Sequence, residues 1–101
     1  MQKPLSDEAI LEALKSIKGW AYKDGKLLKE KELKTFKSAL EFINKVGEIA
    51  EKQNHHPEII NSYRRVTLKL CTHDAGEKVT EKDLTLARAI EWLKRGSNLS
   101  L

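Results

Sequence analysis

Cysteine and long hydrophobic runs are scarce in this chain, and each scarcity excludes something. A single cysteine, Cys71, stands among 101 residues, so no internal disulfide framework exists and a reducing compartment is expected. No apolar run approaches the roughly 20 residues that cross a bilayer. Met1–Ser6 lacks a hydrophobic segment of the signal-peptide type. Together with the lone thiol, this predicts a cytoplasmic protein. The surroundings of Gly76 lack the further glycines of phosphate-binding or dinucleotide-binding loops.

Charge of one sign is scarce too. Net charge is +4 and the sequence pI is near 9.2. Yet lysines alternate with glutamates, as in Lys29-Glu30-Lys31-Glu32, and Arg64-Arg65 is the only pure arginine pair. A surface of both signs does not read as a nucleic-acid footprint. With 40% hydrophobic residues, the chain fills one modest core, which predicts a single domain over residues 1–101.

Apolar spacing predicts a first helix from Leu5 to Lys18, with Ile10, Leu11, Leu14 and Ile17 on one face. Ser6 is its N-cap, Asp7 and Glu8 suit the first turn, and Leu5 with Ile10 forms a staple. Gly19 stops it. Trp20-Ala21-Tyr22 is a short strand and Asp24-Gly25 a hairpin turn. Leu27 to about Lys34 is the returning strand; its charges and weak alternation suggest a sheet edge or a heavily solvated face. Thr35 to Gln53 is the clearest helix, striped by Phe36, Ala39, Leu40, Ile43, Val46 and Ala50 and widened by Phe42 and Ile49. Asn54 suits a left-handed C-terminal position. Ile59 to His73 is β-structure, too long for one strand, with a turn expected near Ser62 to Arg65. Asp74 to Lys78 is a loop. The last helix opens on a Thr80/Asp83 capping box with a Val79/Leu84 staple, and buries Leu86, Ala87, Ile90 and Leu93. Residues 96–101 are expected to fray. The order helix, strand, strand, helix, strand, strand, helix implies a two-layer α+β domain with helices covering one sheet face.

The chain's three histidines fall in two clusters, His55-His56-Pro57 and Thr72-His73-Asp74. Histidine exchanges protons near neutrality. Pro57 pushes His56 toward extended backbone. His55 follows a long helix, whose negative end favours an imidazolium. Two proton-transfer groups in unlike surroundings suit an elimination of water, in which one protonates a leaving hydroxyl and another removes a proton. The plain alternative is a solvated histidine pair and a solvated strand-end histidine. A zinc site from three histidines and Cys71 is not expected, because neither cluster has ligand spacing. Cys71 reads as a small strand hydrophobe. Trp20 is a core aromatic or the wall of a flat heterocycle, with the core role favoured.

The run Ala50-Glu51-Lys52-Gln53-Asn54-His55-His56-Pro57, then Tyr63, Val66, Thr72-His73 and Thr80-Glu81-Lys82-Asp83, resembles the pterin-4a-carbinolamine dehydratase family. The likeness extends from Gly19-Trp20 to the last helix. It implies a four-stranded antiparallel sheet with three helices on one face. It also implies dehydration of 4a-hydroxytetrahydropterin to quinonoid dihydropterin, without metal or organic cofactor. The family's active-site histidines fall on His55, His56 and His73. Its substrate-contacting stretches fall on His55 to Pro57 and on Thr72, His73, Asp74 and Ala75. Its acidic helix residue falls on Glu51, its tryptophan on Trp20 and its helix-cap aspartate on Asp83. His55 or His73 is taken as acid and His56 as base. One departure stands out: family members usually follow the third histidine with a Gly-Leu-Thr or Gly-Leu-Ser turn, and here Gly76-Glu77-Lys78-Val79-Thr80 is one residue longer.

The resemblance implies a small-molecule pterin substrate and a homodimer or homotetramer, with no membrane or direct nucleic-acid partner. Trp92 is a candidate oligomer contact. Two other functions fit the same fold: a protein-interaction module, since animal relatives are dimerisation partners of a homeodomain transcription factor, and a module that binds a pterin, such as a molybdopterin, without turnover.

Overall fold

The computed structural model describes residues 3–96, with side chains through Leu93. The chain runs α1 (Asp7–Leu14), β1 (Ala21–Lys23), β2 (Lys26–Glu32), α2 (Phe36–Gln53), β3 (Glu58–Ser62), β4 (Arg65–Leu70), a one-turn 3₁₀ helix (His73–Ala75) and α3 (Glu81–Gly96). The strands form one antiparallel sheet in the order β1-β2-β4-β3, and the helices pack on one face of it. This is the expected α+β architecture. The tail expected to fray lies, beyond Gly96, outside the described residues.

Local chemistry explains most boundaries. The Ser6 hydroxyl accepts from the Ala9 N–H, and Thr35 does the same for Ser38 at the start of α2. Asn54 ends α2 at φ 52°, ψ 44°, the left-handed conformation that asparagine tolerates. Asp24 and Gly25 both take positive φ, as a tight two-residue hairpin requires. In β4, Val66, Leu68 and Leu70 point into the core, while Thr67 and Lys69 face the uncovered side.

Three expectations need correction. Helix α1 stops at Leu14, not Lys18: N–H groups of Lys15, Ser16 and Ile17 bond back three residues, tightening the chain into turns that still bury Ile17. Strand β2 is not an edge but lies between β1 and β4. Its alternation looked weak because its helix-facing row mixes lysine with leucine. Leu27, Lys29 and Lys31 stand opposite Leu70, Leu68 and Val66. Lys29 is nonetheless buried, its Nζ 2.7 Å from Glu91, and Lys31 lies over the Phe42 ring. The solvated face expected for this strand is its other side. On α2, Phe36 and Leu40 are exposed, and Phe42 is the aromatic that enters the core.

Gly19 sits at φ +91°, and a Cβ there would lie 2.8 Å from the Nζ of the buried, ion-paired Lys29. Gly19→Ala is therefore expected to cost about 1–2 kcal/mol. A urea midpoint equal to that of the unmodified protein would contradict this.

Candidate active site

Strand pairing brings the two histidine clusters to one end of the sheet. Glu58, the first residue of β3, stands opposite Lys69 near the end of β4. The segment before β3 and the segment after β4 therefore leave the sheet side by side. The first carries His55, His56 and Pro57; the second carries Cys71, Thr72 and His73.

The first turn of α3 ties these segments together. Asp83 is fully buried. Its Oδ1 lies 2.5 Å from His55 Nε2. Its Oδ2 accepts from the Thr72 hydroxyl at 2.8 Å and from the Thr80 N–H at 2.9 Å. Thr72 has one hydroxyl proton and gives it to Asp83, so the 2.7 Å contact between the two threonine hydroxyls is donated by Thr80. Thr80 Oγ1 in turn accepts from the Lys82 N–H. The network assigns every proton. A carboxylate that only accepts requires His55 Nε2 to donate, which leaves the other ring nitrogen, Nδ1, to carry the lone pair of the neutral ring. No buried side-chain nitrogen or oxygen among the described residues lacks a partner. No hydrogen bond of Nδ1 is found among the described residues, and His55 borders a cavity.

The other imidazoles are exposed. His56 Nε2 lies 2.6 Å from Glu51 Oε2 across the end of α2. His73 opens the 3₁₀ turn, and its Nδ1 is 3.9 Å from Glu77. Strand alternation, which would have put His73 on one face with Cys71, no longer applies there because β4 ends at Leu70. Pro57 and Ala75 are partly buried and Asp74 is exposed. Trp20 stands in the core. Its indole N–H donates to Glu91 at 3.0 Å, and Lys29 lies over its ring. It makes no contact with the histidine cluster.

A cavity of about 390 Å³ opens beside His55, walled by Gln53, Glu81, Lys82 and Thr85. A larger hollow of about 490 Å³ lies on the uncovered sheet face among Lys23, Lys26, Leu28, Ile60, Thr67 and Lys69, and holds no histidine. The smaller one adjoins the only buried imidazole and is large enough for a bicyclic ligand. Its other walls escaped the sequence reading, because solvated helix ends look alike in sequence. Asp83 was legible only as a cap; its second task shows once Thr72 and His55 arrive beside it. Among the described residues no three His, Cys, Asp or Glu side chains cluster as a metal site would.

Burial pushes the Cys71 thiol up, against an opposing pull from Lys26 and with smaller upward contributions from Asp83, Glu77 and Glu58. A raised thiol holds less thiolate at a given pH, so iodoacetamide at pH 8 should modify Cys71 more slowly than free cysteine. An equal or faster rate would refute this.

Comparison with known proteins places the chain in a family. Residues 3–93 match the family described as pterin 4 alpha carbinolamine dehydratase. A protein of Opitutus terrae, provisionally named as such a dehydratase, is 45% identical over 86% of this chain and 90% of its own. One from Sulfolobus acidocaldarius, provisionally named likewise, is 42% identical over 85% of this chain and 93% of its own. The crystal structure of a transcriptional coactivator/pterin dehydratase from Brucella melitensis superposes with a TM-score of 0.80 at 36% identity, covering 87% of this chain and 95% of that one. The chain belongs to the pterin-4-alpha-carbinolamine dehydratase family.

Proposed function

We propose that this protein dehydrates 4a-hydroxytetrahydropterin to quinonoid dihydropterin in the cytoplasm by histidine acid–base catalysis, with no metal or organic cofactor. The observation that carries this reading is the buried Asp83 carboxylate, which ties His55 to Thr72, the neighbour of His73.

The substrate carries a hydroxyl on a carbon adjacent to a ring N–H. Loss of water breaks the carbon–oxygen bond and forms a carbon–nitrogen double bond. An acid must give one proton to the hydroxyl, and a base must take the one on nitrogen. We assign the base to His55, whose Nδ1 is left to accept a proton while Asp83 holds Nε2–H and offsets the charge that arrives. This moves the base, expected at His56, to His55, and keeps His73 of the two acids expected. His73, the most exposed of the three imidazoles, gives its proton to the departing hydroxyl. His56, steadied by Glu51, is the third imidazole around the ring, with Pro57, Asp74 and Ala75 as neighbouring contacts. Trp20 supports this site only from within the core. After turnover the acid is neutral and the base protonated, and solvent returns the proton.

A second assignment rests on the exposed apolar side chains. Phe36 and Leu40 recur four residues apart on α2, and Trp92 stands out from α3. These surfaces support a homodimer or homotetramer. They also leave room for a protein partner, the role that the coactivator name of the Brucella relative suggests.

Stopped-flow dehydration should proceed with the purified protein alone. His55→Ala should slow it by about 10²–10⁴-fold. Tight pterin binding without turnover would instead identify a binding module. Light scattering at micromolar concentration should give a multiple of the monomer mass, and a monomer would refute the assembly.

A further inference from the structure

We propose that Glu77 is the positioning residue of His73: its carboxylate orients the imidazole and holds its Nδ1–H, leaving Nε2 to deliver the proton. This rests on the assignment of His73 as acid in the proposed dehydration.

Two observations converge on Glu77. It occupies φ +60°, a conformation that costs a non-glycine residue. Its carboxylate lies 3.9 Å from His73 Nδ1. Gly76 just before it has φ +76°, so two left-handed residues in succession turn the chain back toward the histidine. The loop is closed on itself. Thr72 O accepts from the N–H groups of Ala75 and Glu77, and Thr72 N–H donates to Lys78 O. The strained residue is thus held by the same threonine whose hydroxyl reaches Asp83.

Each imidazole of this site then has a carboxylate: Asp83 for His55, Glu51 for His56, Glu77 for His73. At 3.9 Å the last is not a hydrogen bond. Contacts of this kind tighten when substrate excludes water. The other charged groups around the loop are Asp74 and Lys78 within it, Lys26 and Glu58 on adjacent strands, and Asp83. Among the described residues the ion pair of the His73 ring is with Glu77.

Glu77→Gly and Glu77→Gln test this. Glycine suits φ +60°, so Glu77→Gly should melt no lower than the unmodified protein, and a lost rate is then not lost folding. Both variants should lower kcat by about 3- to 10-fold and leave KM within about twofold. In ¹⁵N spectra the neutral His73 ring should move from the Nδ1–H to the Nε2–H tautomer. In a His73→Ala background, Glu77→Gly should change nothing further. Unchanged kcat with an unchanged tautomer, or an equal loss without His73, would overturn the proposal. If the unmodified protein does not dehydrate the pterin, the functional assignment fails, and the tautomer alone decides whether Glu77 orients His73.

Discussion

A carboxylate with no exposure to water is the constraint on which this end of the molecule depends. Burying an ionised group is costly unless its lone pairs are filled. Asp83 meets the demand with donors from three separate segments: the ring of His55 after α2, the hydroxyl of Thr72 after β4, and the N–H of Thr80 before α3. The carboxylate cannot donate, so every partner must. That single requirement orients a chain of protons from Thr80 through Thr72, and separately fixes the His55 tautomer. Displacing any one segment would leave a buried acceptor or donor unpaired.

The same helix is anchored again just over two turns later. Glu91 accepts from the Trp20 indole and from the buried Lys29, roughly 12 Å further along the axis at 1.5 Å per residue. Leu84, Leu86, Ala87 and Ile90 lie buried in this stretch of the helix. Apolar contacts alone let a helix slide or turn by small amounts at little cost, since they are not directional. Two polar anchors with defined geometry remove that freedom. The exactness of the His55–Asp83 contact thus depends partly on Trp20, a residue with no contact at the site itself.

The architecture was legible because caps and turns are local. Ser6, Asn54, Asp24-Gly25 and the Thr80/Asp83 pair are each read from a few neighbouring residues, and each stands where expected. The errors came from tertiary context. Strand β2 looked like an edge because Lys29 and Lys31 occupy core-facing positions, and only the partners Glu91 and Phe42, distant in sequence, make that tolerable. Phe36 and Phe42 both lie near the helical stripe, and spacing could not say which would turn inward. At the site, the histidines were conspicuous by residue type. Thr72 was named through the resemblance and Thr80 as a cap, but the hydroxyl chain by which they order the Asp83 carboxylate shows only once the fold closes.

The three imidazole–carboxylate pairs differ less in chemistry than in freedom. His55 and Asp83 are buried and both oxygens of Asp83 are engaged, so the orientation of the imidazole is set before any substrate arrives. His56–Glu51 and His73–Glu77 stand in water, where an ion pair is weak and side chains rearrange quickly. A base that must receive a proton at one defined ring nitrogen gains from the first kind of environment. An acid that must follow a departing hydroxyl, and then be recharged by solvent, gains from the second. The fold provides both by placing one histidine under the first turn of α3 and another on a loop that returns to solvent. The proposed division between base and acid follows from this difference in burial.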